Sequence, residues 1–179
     1  MRLKRIEISG KKFFLSVATD VVSLLRIYSY DLKQLYEAKF PSDVYVVDFD
    51  LMYDGCILIL IIEDCNTSVR ELSIIDYISN QYIAPPSFYQ QNSKFFSVRC
   101  IFNQFILLGS SMGVSVFHFD PSQQSFSQMP NLKSFYYHVK WIQIETYTDF
   151  VYLFFREEYR GYNYSGRHFL EKYKVSCSH

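Results

Sequence analysis

Asp43–Tyr77, DVYVVDFDLMYDGCILILIIEDCNTSVRELSIIDY, decides the fold. Val44, Val46 and Val47 open a β-branched run, and Tyr53-Asp54-Gly55 breaks it with turn chemistry. Cys56 to Ile62 is too apolar to face water on either side, so both faces of that strand are expected to be covered. Asn66-Thr67-Ser68 then turns the chain into a third run that ends at Ile75-Asp76. The stretch reads as three consecutive strands and two turns.

The same grammar recurs on both sides. Apolar runs begin at Phe13, Ile57, Phe105 and Val151, at spacings of 44, 48 and 46 residues. A strand-like segment precedes each run (LKRIEIS, VYVVDFD, FFSVRCIF, YYHVKWIQI), and a turn with an alternating segment follows. In three units that segment ends on an acid, Asp31, Asp76 or Asp120, and a short link leads to an aromatic, Tyr36, Tyr82 or Phe126. Pro41, Pro85-Pro86 and Pro130 fall near unit ends, where a chain crossing between sheets tolerates a missing N–H. One domain of four units follows, roughly 1–41, 42–92, 93–131 and 132–179, each a four-stranded antiparallel meander of about 45 residues. Within 20–40, Val21, Leu24, Leu25, Tyr28, Leu32, Leu35 and Tyr36 also satisfy helical spacing; analogy with the other units favours strands.

The third unit, SVRCIFNQFILLGSSMGVSVFHFDPSQQSF, resembles a WD-repeat blade, with FILLGSSMGVSVFHFD in the place of that family's second strand, turn, third strand and terminal Trp-Asp. The second unit is similar at its opening strand and Asp-Gly turn. Asp31, Asp76 and Asp120 stand where the family's Asp would be, with Tyr30, Ile75 and Phe119 in place of its Trp, so the likeness is to a degenerate WD-repeat-like β-propeller. The resemblance implies an all-β fold of about four four-stranded antiparallel blades. It also implies a non-catalytic scaffold mediating protein–protein contacts within a larger intracellular complex. Four units are few for such a ring, and the last one stops soon after FLEKYKVS; an incomplete or partner-completed ring is expected, because an open stack exposes sheet faces and edges.

Composition narrows the function classes. Of 179 residues, 49% are hydrophobic and 19% aromatic, which excludes disorder. Lys plus Arg equals Asp plus Glu at 18 each, so no global pull toward nucleic acid or anionic membrane exists. The basic N-terminus MRLKRIEISGKK lacks the apolar core of a secretory signal, and Cys56–Ile62 is too short to span a bilayer. Cys56, Cys65, Cys100 and Cys177 form no C-x-x-C pair; if Cys56 and Cys65 bracket one strand they lie about 30 Å apart, beyond disulfide reach. Reduced thiols in a cytoplasmic or nuclear protein are expected.

Motifs for catalysis are wanting. DFDLMYDG (Asp48, Asp50, Asp54, Gly55) has the outline of a calcium loop but the wrong spacing, with Ile59 at position twelve from Asp48; it reads as a turn between the first and second strands. His118, His138, His168 and His179 pair with no ligand at metal spacing. GSSMG, residues 109–113, is a hairpin turn without a phosphate-loop lysine. No metal, cofactor or enzymatic activity is expected. The most suggestive feature is REEYRGYNYSGRHF, from Arg156 to Phe169, read as a long exposed hairpin loop binding a protein partner through Arg156, Tyr159, Arg160, Tyr162, Tyr164 and Arg167. Its alternative is an RNA- or DNA-associated module, since Arg and Tyr also grip phosphates and stack bases. Arg2, Lys4, Arg5, Lys11 and Lys12 read as a solvated edge that discourages aggregation.

Overall fold

The structure is a computed structural model that describes residues 2–8, 10–19, 23–84, 94–135, 139–147, 150–157 and 167–175. These residues form β-strands and turns, with no helix among them and hence none long and apolar enough to cross a membrane. The first sheet holds β1 (Arg2–Ile8), β2 (Lys11–Thr19), β3 (Ser23–Ser29) and β4 (Gln34–Lys39). The second holds β5 (Val44–Met52), β6 (Ile57–Asp64), β7 (Arg70–Asp76) and β8 (Gln81–Ile83). The third holds β9 (Phe95–Ile101), β10 (Phe105–Ser110), β11 (Gly113–Asp120) and β12 (Ser125–Ser134), and the fourth β13 (Val139–Tyr147), β14 (Phe150–Glu157) and β15 (Arg167–Lys174). Each sheet is an antiparallel meander in chain order, and the four stand as blades around an axis bordered by β1, β5, β9 and β13.

β6 explains why the blades stack. Ile57 through Ile61 are all at most 3% exposed, because alternate side chains feed different cores. Leu58 and Leu60 pack with Leu15, Leu25, Ile27 and Phe49 between the first and second blades. Ile57, Ile59 and Ile61 pack with Val98, Ile106 and Phe117 between the second and third. A third cluster, centred on Ile142, Ile144, Val151 and Leu153, joins the third blade to the fourth. Burying such side chains contributes about 1.5–3 kcal/mol each, so the inter-blade layers are the main apolar driving force. Among the described residues the four blades thus share three apolar cores, and no fourth cluster joins the last blade to the first.

Local chemistry sets the turns. Leu32 adopts φ 64° and its N–H donates to Ser29 O at 3.0 Å, so 23–39 is a hairpin and the helical spacing of 20–40 is not used. Leu25 and Ile27 alternate with half-buried neighbours, the period of a strand. Tyr53, Asp54 and Gly55 all have positive φ, and a Cβ on Gly55 would lie 2.4 Å from the Phe13 ring of the first blade. Asp76 and Asp120, two of the three acids read as the Asp of a Trp-Asp pair, cap turns instead. Asp76 Oδ1 accepts from Ile78 N (2.9 Å) and Ser79 N (3.2 Å), and Asp120 Oδ1 from Ser122 N (2.8 Å) and Gln123 N (3.3 Å). Asp64 caps the β6–β7 turn in the same way. Pro130 lies inside β12 rather than between sheets; it sits on the sheet's edge where the β11–β12 register shifts, a position that needs no ladder donor.

Candidate functional site

No strand ladder joins β1, β5, β9 and β13; side chains stitch them together. Asp48 Oδ2 on β5 accepts from Val98 N (2.9 Å), Ser97 Oγ (3.0 Å) and Arg99 Nη1 (2.7 Å) on β9. Two residues on, Asp50 Oδ2 accepts from Cys100 N at 2.9 Å, while Asp50 Oδ1 pairs with Lys4 Nζ of β1 at 3.2 Å. Lys4 also donates to Phe49 O. The chain of contacts continues outward: Ser97 Oγ accepts from Ile144 N at 3.2 Å, and Arg99 Nη2 reaches Glu145 Oε1 on β13 at 3.0 Å. Asp48 and Asp50 are therefore inter-blade clamps within β5, and only Asp54 and Gly55 belong to the turn expected of DFDLMYDG.

Arg99 is 7% exposed. Burial works to lower its pKa, but the carboxylates of Asp48, Asp50 and Glu145 outweigh it and hold the guanidinium above its ordinary value. The thiol of Cys100 is pushed well up by desolvation and further by Asp50, which leaves it a poor nucleophile. Along the axis runs a cavity of about 1090 Å³. Its ionisable lining is Lys4, Arg70, Lys94, Arg99 and Lys140 with one acid, Asp48. Glu63 holds Arg70 at 2.5 Å. Among the described residues no group of three His, Cys, Asp or Glu side chains is placed to hold a metal.

Sequence reasoning missed these clamps because each partner lies some fifty positions away; the usable signal was polar residues inside apolar first strands, Lys4, Asp48, Ser97, Arg99 and Glu145. Of the Arg/Tyr hairpin, Arg156 is the penultimate residue of β14 and Arg167 opens β15, both exposed on paired strands. Tyr159, Arg160, Tyr162 and Tyr164 lie outside the described residues. Arg156 is the cross-strand partner of Trp141, itself on the cavity lining. The hairpin therefore springs from the rim where β9 and β13 begin. His118 packs on Phe105 at 5.0 Å, His168 is exposed on β15, and His138 and His179 lie outside the described residues.

Fold and axis together define a β-propeller protein. No family model matches the chain, and no curated protein matches it. Among solved structures it is similar to the β-propeller domain of the Trilobed protease from Pyrococcus furiosus, described as an open velcro topology: TM-score 0.46, 9% identity, covering 97% of this chain and 56% of that one. It is also similar to an α-L-arabinofuranosidase from Clostridium thermocellum: TM-score 0.44, 11% identity, covering 97% of this chain and 69% of that one. This chain thus spans little more than half of the first. Both neighbours are enzymes, which corrects the expectation that the chain is not one: the architecture gives no ground for excluding catalysis. At such identities neither activity transfers to this chain.

Proposed function

We propose that the chain is a WD-like scaffold that binds a protein partner within a larger intracellular assembly, and that the partner covers its open side. The observation that supports this is that, among the described residues, four blades share three apolar cores. The uncovered face of the last blade carries Trp141, Tyr147, Phe154 and Leu170, exposed at 43%, 72%, 38% and 62%, and Leu3 of the first blade is exposed at 65%. Register places Phe154 between Gln143 and Leu170, so these side chains share one face. Aromatic and Arg anchors on rigid sheets bind partners without reorganising, and Arg156 adds the cation. Cys56, Cys65 and Cys100 are free thiols, in keeping with the cytoplasm or nucleus.

Affinity purification of wild type against Phe154→Asp/Leu170→Asp tests this reading. Both positions are solvent-facing, so the double variant keeps its fold while losing the co-purifying protein. A chain that comes out alone, or a partner retained by the double variant, contradicts it. The nucleic-acid alternative rests on the exposure of Arg156 and Arg167 at the open end of one hairpin. Oligonucleotide binding that falls steeply with salt and with Arg156→Ala is its signature.

A further inference from the structure

We propose that the axial cavity takes an acidic peptide segment of a protein partner, with its carboxylates against Lys94 and Lys140 and an apolar side chain against Trp141. The proposal rests on the reading of the chain as a protein-binding module. It adds the axial cavity as a second site, which meets the apolar face of the last blade at Trp141.

The cavity's charge is uneven along its depth. Deep in it the cations are already held: Lys4 by Asp50, Arg70 by Glu63, and Arg99 by Asp48 and Glu145. Asp48 in turn spends one oxygen on three donors. At the rim Lys94 stands outside these pairs. Lys94, just before β9, and Lys140, in β13, are both exposed, and no ion pair engages Lys94 among the described residues. Trp141 lines the same cavity beside Lys140, with Phe96 across from it on β9. Cations next to exposed aromatic surface match carboxylates next to an apolar side chain, and a partly desolvated pocket strengthens the pairing. A volume near 1090 Å³ admits a few side chains.

The charge distribution disfavours a nucleic acid. Residues 41–84, the second blade and its links, carry eight of the eighteen acids and a single base, Arg70. Exposed Asp43 and Asp54 and half-buried Asp64 sit at the turns of that blade. A long polyanion crossing the axis would meet this field, whereas a short acidic segment entering at the Lys94–Lys140 rim does not.

Trp141 is the only tryptophan in the chain, so its fluorescence reports the site directly. The probes are the peptide Asp-Glu-Asp-Phe-Glu-Asp, its amide counterpart Asn-Gln-Asn-Phe-Gln-Asn, and oligouridylate. The acidic peptide is expected to change Trp141 emission saturably, and the amide peptide to bind about tenfold or more weaker, a difference near 1.4 kcal/mol. Lys94→Glu/Lys140→Glu abolishes the response; Lys174→Glu, at the far end of β15, leaves it intact. No response to the acidic peptide overturns the proposal, as does equal binding of the amide peptide or a response that survives in the double variant. Tighter binding of oligouridylate also overturns it and assigns the rim to nucleic acid. The Phe154→Asp/Leu170→Asp purification is unaffected by these outcomes, so the site can fail while the scaffold reading stands.

Discussion

Asp48 carries more of the architecture than its turn-like surroundings suggest. It pairs with Arg99 at 2.7 Å and accepts from the backbone of the next blade, so Asp48→Ala leaves a guanidinium at 7% exposure with Glu145 as its remaining ion-pair partner. The expected loss is about 3 kcal/mol in urea unfolding, and Asp48→Ala/Arg99→Met should recover part of it, because the stranded charge goes with its partner. Gly55→Ala is expected to destabilise by about 1–3 kcal/mol: the residue holds φ 81°, and the new methyl would strike Phe13. Tyr77 sets a pH limit. Desolvation, helped by Cys56 and Asp76, pushes its hydroxyl up to about 12. The folded state therefore prefers the neutral phenol more than the unfolded chain does. That stabilisation is complete below the ordinary value near 10 and is lost as pH rises from there toward 12. Thermal melts across this window should fall less steeply for Tyr77→Phe than for wild type; equal slopes would remove Tyr77 as the cause.

At the scale of the element, β6 was legible in the sequence and the inner-strand clamps were not. A run such as ILILII can be buried on both faces only if two layers cover it, and both layers are present. Leu60→Ala, at the heart of one layer, is expected to cost about 2–5 kcal/mol with little change in the cavity. The alternation in 23–29 decided strand over helix because burial follows a period of two. By contrast, Asp76 and Asp120, two of the three acids that end alternating segments, looked like family markers and are turn caps, a local bond that needs no family. Asp120 is held below the usual carboxylate range by the Ser122 hydroxyl and the Ser122 and Gln123 amides. Whatever stability that bond lends is present above the ordinary carboxylate pKa and disappears as pH falls through the lowered value. Asp120→Asn should blunt the acid limb of the melting curve.

For the whole molecule, the repeat spacing announced a stack of blades, and among the described residues the buried apolar clusters join the first blade to the second, the second to the third and the third to the fourth. Which residues cover the open side was not legible, because Trp141, Phe154 and Leu170 read like any other strand residues until register places them on one uncovered face. The candidate loop was located at its two ends, Arg156 and Arg167, on the rim that also bears Lys94 and Lys140. Amide hydrogen exchange on the chain alone and in its co-purified assembly tests the open side most directly. The account predicts slow exchange in β6 and β10 in both samples, and fast exchange in β15 that slows once the partner is bound. Equal protection of β15 in the two samples would contradict it.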